Sequence, residues 1–240
     1  MSSLLPFFTY YGGKWRAAPR YPKPICDTII EPFAGAAGYA LRYADRKVIL
    51  VEKDARLAAL WRYLIAASPA EIETLPLVPL DGHVDHLDCC DDAKSLIGFW
   101  LNKGCVSPMK SPSRWMRDGL RPNSFWGKTI RTRIADQVDH IKHWTVIEGG
   151  YEEAPSVRAS WFVDPPYASA GKAYRHSSST IDFAALARWC RSREGQVMVC
   201  ENDGADWLPF KPYLTIKSTE GAHGKAQSKE ALWRNTDDLI

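Results

Sequence analysis

The chain lacks most of the features that would place it at once. Its 240 residues hold six cysteines, at positions 26, 89, 90, 105, 190 and 200, with no C-x-x-C pair. That is too sparse for a disulfide-stapled scaffold and points to reduced thiols. No apolar run approaches 18 residues, the length a membrane-spanning helix needs. The opening Met1–Phe8 carries no basic segment and no small-residue cleavage site, so no secretory signal is read there. A soluble, cytoplasmic protein with no membrane partner is expected. Internal repeats, low-complexity tracts and a G-x-G-x-x-G fingerprint are all missing, and a net charge of +3 says little by itself about partners. His83, His86 and Cys89 have metal-ligand spacing, but no second cluster completes the set. Asp85, Asp88 and Asp91 make that stretch read as a polar loop, and no metal is expected.

What is present suits one α/β domain with a modest insertion. Apolar residues make up 45% of the chain, enough to build a full core. Apolar runs and amphipathic stretches alternate. Strands are predicted at Ile25–Ile30, Lys47–Val51, Trp144–Ile147, Trp161–Val163 and Val197–Cys200, with a closing strand pair at Tyr213–Ile216 and Ala231–Trp233. Helices are predicted at Ala36–Tyr43, Ala55–Ala67 and Phe183–Arg191, the second with Leu57, Leu60, Trp61 and Leu64 on one face. Strands alternating with helices imply a mostly parallel sheet covered on both faces.

The middle of the chain breaks that rhythm. Between Gly98 and Ile134 lie Lys103, Lys110, Arg114, Arg117, Arg121, Lys128, Arg131 and Arg133 against the single acid Asp118, a net charge of +7 in a chain whose total is +3. Pro108, Pro112 and Pro122 argue against one long solvated helix, and Trp100, Trp115 and Trp126 are interleaved with the cations. This composition is the electrostatic footprint of a nucleic-acid-binding lobe. Residues 98–134 are therefore set apart from a main domain comprising 1–97 and 135–240.

Three segments carry chemistry. Phe162-Val163-Asp164-Pro165-Pro166-Tyr167 is an apolar run, read as a strand, that ends in an acid, two prolines and an aromatic. The prolines remove two backbone donors and stop the strand at its C-terminal end, where open α/β sheets place ligands. The Asp164 carboxylate and the Pro165 carbonyl offer two acceptors to a primary amine, and Tyr167 a stacking surface for its ring. A tight turn capping a strand is the plainer alternative. Ile30-Glu31-Pro32-Phe33-Ala34-Gly35-Ala36-Ala37-Gly38 joins a strand to a helix, with glycine permitting close approach to a ligand. Glu52, at the end of the next strand, is suited to accept both hydroxyls of a ribose, whereas Asp54 reads as a helix N-cap. Tyr10-Tyr11-Gly12-Gly13-Lys14-Trp15 reads as a surface turn when taken alone.

In this order the three segments resemble the Dam-type family of adenine-specific DNA methylases: aromatic-x-Gly-Gly-Lys, E-P-F-x-G-A, a basic segment, then D-P-P-Y. Weaker echoes are Phe99-Trp100-Leu101-Asn102, Phe125-Trp126-Gly127-Lys128, Glu201-Asn202-Asp203 and Lys229-Glu230-Ala231-Leu232. The resemblance implies a Rossmann-like methyltransferase sheet with an inserted target-recognition lobe. It also implies S-adenosylmethionine as cofactor, held by Tyr10, Lys14, Phe33, Gly35, Glu52 and Asp164, with Lys14 near the cofactor's carboxylate. Base binding and catalysis fall on Asp164, Pro165, Pro166 and Tyr167. Double-stranded DNA is the implied partner, touched by Lys103, Arg114, Arg117, Arg121 and Lys128. The sequence departs from the family where Ala37 replaces the second glycine of E-P-F-x-G-x-G, and where Lys103 replaces the arginine of Leu-Asn-Arg. The same acceptor pair serves cytosine N4 or an RNA amine, and a DNA-binding protein that has lost turnover is a further alternative.

Overall fold

The computed structural model describes residues 3–119, 122–169, 174–217 and 227–236. A seven-stranded sheet dominates it, built from β1 (Thr28–Glu31), β2 (Lys47–Glu52), β3 (Thr145–Glu148), β4 (Ala159–Val163), β5 (Gly195–Asn202), β6 (Lys211–Lys217) and β7 (Gln227–Arg234). Their spatial order is β3-β2-β1-β4-β5-β7-β6. The first five strands are parallel, and β7 runs antiparallel to both β5 and β6. Strand order therefore reverses between β1 and β4, the place where a doubly wound sheet opens a crevice at its carboxyl edge.

Alternation along the strands sends successive side chains to opposite faces. Ile29, Val48, Leu50, Phe162, Met198 and Cys200 enter one core; Ile30, Ile49, Val51, Trp161, Val163, Val197 and Val199 enter the other. The first core is covered by α1 (Ala55–Ala66), α3 (Asp91–Leu101) and α5 (Lys128–Val138), and a short α2 (Pro69–Thr74) packs on α5. The second is covered by α6 (Phe183–Arg191) through Leu186, Ala187 and Cys190. Asp54 caps α1, its carboxylate accepting from the Arg56 backbone N–H at 3.1 Å, and Asp182 caps α6 in the same way.

The expected helix at Ala36–Tyr43 is reduced to a 3-10 turn over Ala40–Tyr43. Ala37 adopts a left-handed backbone, with φ of 49°. That conformation cannot propagate a right-handed helix and costs about 1–2 kcal/mol for a residue bearing a Cβ. It falls at the position where the resembled family keeps a glycine.

Both ends of the basic stretch 98–134 run through the main core. Phe99, Trp100 and Leu101 belong to the buried face of α3, and Trp126, Ile130 and Ile134 join the same cluster. The surface part lies between, with the four-residue α4 (Arg114–Arg117) in it. Among the described residues, no helix is long and apolar enough to cross a membrane, and no group of three His, Cys, Asp or Glu is placed to hold a metal.

Candidate functional site

The cleft forms where three parallel strands end side by side. At the end of β1, Glu31 is buried, and its Oε1 accepts from the Ala40 backbone N–H at 2.6 Å, tying the strand end to the 3-10 turn. Burial pushes the Glu31 carboxyl up to about 8. The chain then turns through Gly35, whose φ is +47° and where an added Cβ would stand 3.3 Å from the Tyr10 ring. Three anchors fix this turn. Ala34 N–H donates to the Val51 carbonyl at 3.1 Å, the Trp61 indole donates to the Gly35 carbonyl at 2.8 Å, and Gly35 N–H donates to Glu52. Trp61 is fully buried in α1, so helix packing and turn geometry are one constraint.

Glu52 closes β2. Its two carboxylate oxygens accept from Gly35 N–H at 2.9 Å and Asp54 N–H at 2.8 Å. Burial pushes its carboxyl up to about 7, although those backbone donors pull the other way. A carboxylate has roughly four lone-pair positions, so Glu52 retains acceptor capacity beyond those two backbone bonds. The neighbouring Asp54 is committed to α1 and its arginines, with Arg56 at 2.8 Å and Arg175 at 3.3 Å.

The Tyr10–Lys14 segment forms the opposite wall. Tyr10, Tyr11, Gly12, Gly13 and Lys14 line the cleft together with Glu31, Phe33, Gly35, Asp164 and Tyr174. The Tyr174 ring leans on Tyr10 and Tyr11, and its hydroxyl donates to the Tyr11 carbonyl at 3.3 Å. Gly12 is needed under that contact: its φ is +72°, and a Cβ there would lie 2.3 Å from the Tyr174 hydroxyl. Gly38 serves similarly beneath Lys14, since a Cβ would come within 2.5 Å of the Trp15 nitrogen.

Asp164 follows β4 directly. Lys14, only 8% exposed, sends its ammonium to Asp164 Oδ1 at 3.1 Å and to Glu230 Oε1 at 3.3 Å. The same nitrogen lies 4.7 Å from the centroid of the Tyr167 ring. Burial alone would lower the Lys14 ammonium, but the carboxylates of Asp164 and Glu230 hold it well above its usual range. Asp164 is pushed up to about 6 by burial, with Lys14 opposing and Glu230 adding to the rise. Asp164 Oδ1 and the Tyr167 hydroxyl are both buried without a hydrogen bond of good geometry among the described residues. The Lys14 ammonium is nonetheless the ionic partner of Asp164 Oδ1, and both Lys14 and the Tyr167 hydroxyl act on the Asp164 carboxyl, opposing the rise that burial causes. The loop beyond Tyr167 is anchored by Glu201, whose carboxylate accepts from Ala168 N–H at 3.0 Å, Asn202 N–H at 2.8 Å and the Trp207 indole at 3.0 Å.

The structure thus brings Tyr10, Lys14, Phe33, Gly35 and Asp164 to the lining of one cleft, with Glu52 buried behind Gly35 and hydrogen-bonded to its N–H, and Pro165, Pro166 and Tyr167 following Asp164 in the chain. Lys14, expected beside a cofactor carboxylate, holds two carboxylates of the protein itself. Sequence reasoning assigned no individual site role to Glu31, Tyr21, Glu201 or Glu230, and read Trp61 only as part of the apolar face of its helix. Glu201 and Glu230 stand in motif echoes; Glu201 could have been found as an acid ending an apolar run in β5, which buries a charge only with partners, whereas Glu230 lies in the mostly polar β7 and gives no such signal.

The proposed nucleic-acid contacts are more dispersed. Lys103 lies on the surface beside the Phe125 ring, Arg114 pairs with Asp118 at 3.2 Å, and Arg117 donates to the Pro112 carbonyl at 2.5 Å. Lys128 is exposed at the start of α5, and Arg121 lies outside the described residues. Arg131 and Arg133 turn inward, donating to the carbonyls of Leu75 at 2.6 Å and Pro6 at 3.0 Å. The Trp115 side chain remains 60% exposed.

No family model and no curated protein matches this chain. Among solved structures, a conserved hypothetical protein from Streptococcus pyogenes matches with a TM-score of 0.39 and 13% identity, over 90% of this chain and 89% of that one.

Proposed function

We propose that the protein is an S-adenosylmethionine-dependent methyltransferase acting on the exocyclic amine of a nucleic-acid base, with N6 of adenine in double-stranded DNA as its substrate. One observation carries this reading. The glycine turn after β1, the acid ending β2 and the Asp-Pro-Pro-Tyr segment after β4 meet at the strand-order reversal, together with Tyr10 and Lys14. The mixed α/β sheet, with five parallel strands and an edge hairpin, fits the methyltransferase-type core that the motif resemblance implies.

The donor set suits the cofactor. Gly35 leaves room for close approach, and Glu52 keeps acceptor positions for ribose hydroxyls. When bound, S-adenosylmethionine supplies a methyl group on a sulfonium leaving group. Asp164 and the Pro165 carbonyl accept the two N–H bonds of the amine, which keeps the nitrogen lone pair out of the ring and aims it. Tyr167 packs against the base, which must leave the duplex to reach the cleft. Cations of the surface segment, Lys103, Arg114, Arg117 and Lys128, meet phosphates and fix the register. The test is to incubate the protein with methyl-labelled S-adenosylmethionine and unmethylated duplex DNA, digest to nucleosides and identify the product by mass. N6-methyladenine supports the reading. N4-methylcytosine redirects it to the other base, and no methylated nucleoside overturns it.

A further inference from the structure

A buried charge assembly beneath the cleft is larger than the reaction needs for orientation. Lys14 alone would neutralise Asp164, since one ammonium faces one carboxylate at 3.1 Å. A second carboxylate, Glu230 of β7, is 6% exposed and faces the same ammonium at 3.3 Å. Glu230 is itself held in place, because its Oε2 accepts from the Tyr21 hydroxyl. Tyr21 is 4% exposed and fixed against Phe162 and Tyr213. Two carboxylates and one ammonium leave one negative charge, removed from water and lying beside Tyr167.

We infer that Glu230 is a positioning residue for methyl transfer: by sharing Lys14 with Asp164, it leaves the assembly with one net negative charge beside the reacting amine. This rests on the amine-methylation reading of the cleft. In that step the nitrogen lone pair forms the N–C bond while the C–S bond breaks, its electron pair remaining on sulfur. The nitrogen carries the positive charge until one of its protons passes to Asp164 and then to solvent. A fixed negative charge stabilises that cation, and stabilisation of developing charge is among the largest effects a protein can exert on a rate. A neutral assembly, with Lys14 matched to Asp164 alone, does not.

The groups that face Asp164 from the packed elements are Lys14, Glu230, Tyr167, Cys200 of β5 and Glu31 of β1. Only Glu230 and Lys14 are altered in the test. Glu230→Gln keeps an acceptor for Tyr21 and brings the assembly to zero charge. Lys14→Met leaves two like charges, and the double variant restores a single negative charge. Methyl transfer to DNA should fall roughly tenfold or more in Glu230→Gln. Its acid limb should move to lower pH, because a carboxylate that raises the Asp164 pKa has gone. The double variant should transfer faster than Lys14→Met, a non-additivity that independent structural damage does not produce. Carbon-13 NMR titration of the Asp164 carboxyl, in aspartate-labelled protein without cofactor, should show the same downward move in Glu230→Gln. Tyr21→Phe, which keeps the charge and loosens its anchor, should show a smaller rate deficit with little change in titration. Unchanged Asp164 titration in folded Glu230→Gln, or strictly additive losses, overturns the inference. A wild type that transfers no methyl refutes the functional reading, and the NMR arm still decides the charge assembly.

Discussion

Glu52→Gln probes the proposed cofactor contact most sharply, because each oxygen of the wild-type carboxylate accepts one backbone N–H and keeps further acceptor capacity. Its oxygens accept from Gly35 and Asp54 N–H at 2.9 and 2.8 Å. An amide keeps one acceptor and presents an NH2 to the other backbone donor. Leaving that donor unmet costs about 1–3 kcal/mol of stability. A ligand hydroxyl loses a charge-assisted bond worth about 1.5–3 kcal/mol, so the cofactor dissociation constant should rise roughly tenfold to a hundredfold. The pH dependence separates this from general loosening. With the Glu52 carboxyl pushed up to about 7, the wild type gains acceptor strength as pH rises through that value and loses it below. Affinity measured by calorimetric titration with S-adenosylmethionine should therefore be about tenfold higher at pH 8 than at pH 6. In Glu52→Gln that slope should vanish. Equal affinities and equal slopes in the two proteins would refute the assignment of the ribose contact to Glu52.

Asp164→Ala should lower methyl transfer by at least about 10²–10³ while leaving DNA binding within a few-fold, by analogy with deleting a preorganised polar contact; single-turnover and filter-binding assays check both halves. Ala37→Gly should leave thermal stability within about 2 °C of wild type, because relief of the left-handed strain offsets the lost methyl and the added chain entropy. Ala40→Gly, equally buried but on the 3-10 turn, should melt several degrees lower in the same calorimeter. Lys128→Ala should flatten the salt dependence of DNA affinity by about one unit of log–log slope, whereas Arg131→Ala should lower stability and leave the slope unchanged.

The sheet was readable because its strands are short apolar runs bounded by acids, prolines and glycines, and α6 was read at its observed bounds for the same reason. The β1–β2 crossover was misread as a helix because Ala36, Ala37 and Ala40 are strong helix formers. Propensity does not register that the tight turn forces Ala37 left-handed. Asp54 as a cap and Glu52 as a strand-end acid were legible from position alone. Lys14 was not, since its partner Glu230 lies more than two hundred residues away and is brought near only by insertion of β7 beside β5. Counting cations also overstated the basic face, because Arg131 and Arg133 serve backbone carbonyls of other segments. Charge is visible in a sequence, whereas its direction is set by packing.

The most direct test of the central claim is to express the protein in a host free of adenine methylation and sequence the host DNA with base-modification detection. The account predicts N6-methyladenine at a defined sequence context with the wild type and none with Asp164→Ala. Unmodified adenine throughout, in cells that contain the folded wild-type protein, would contradict it.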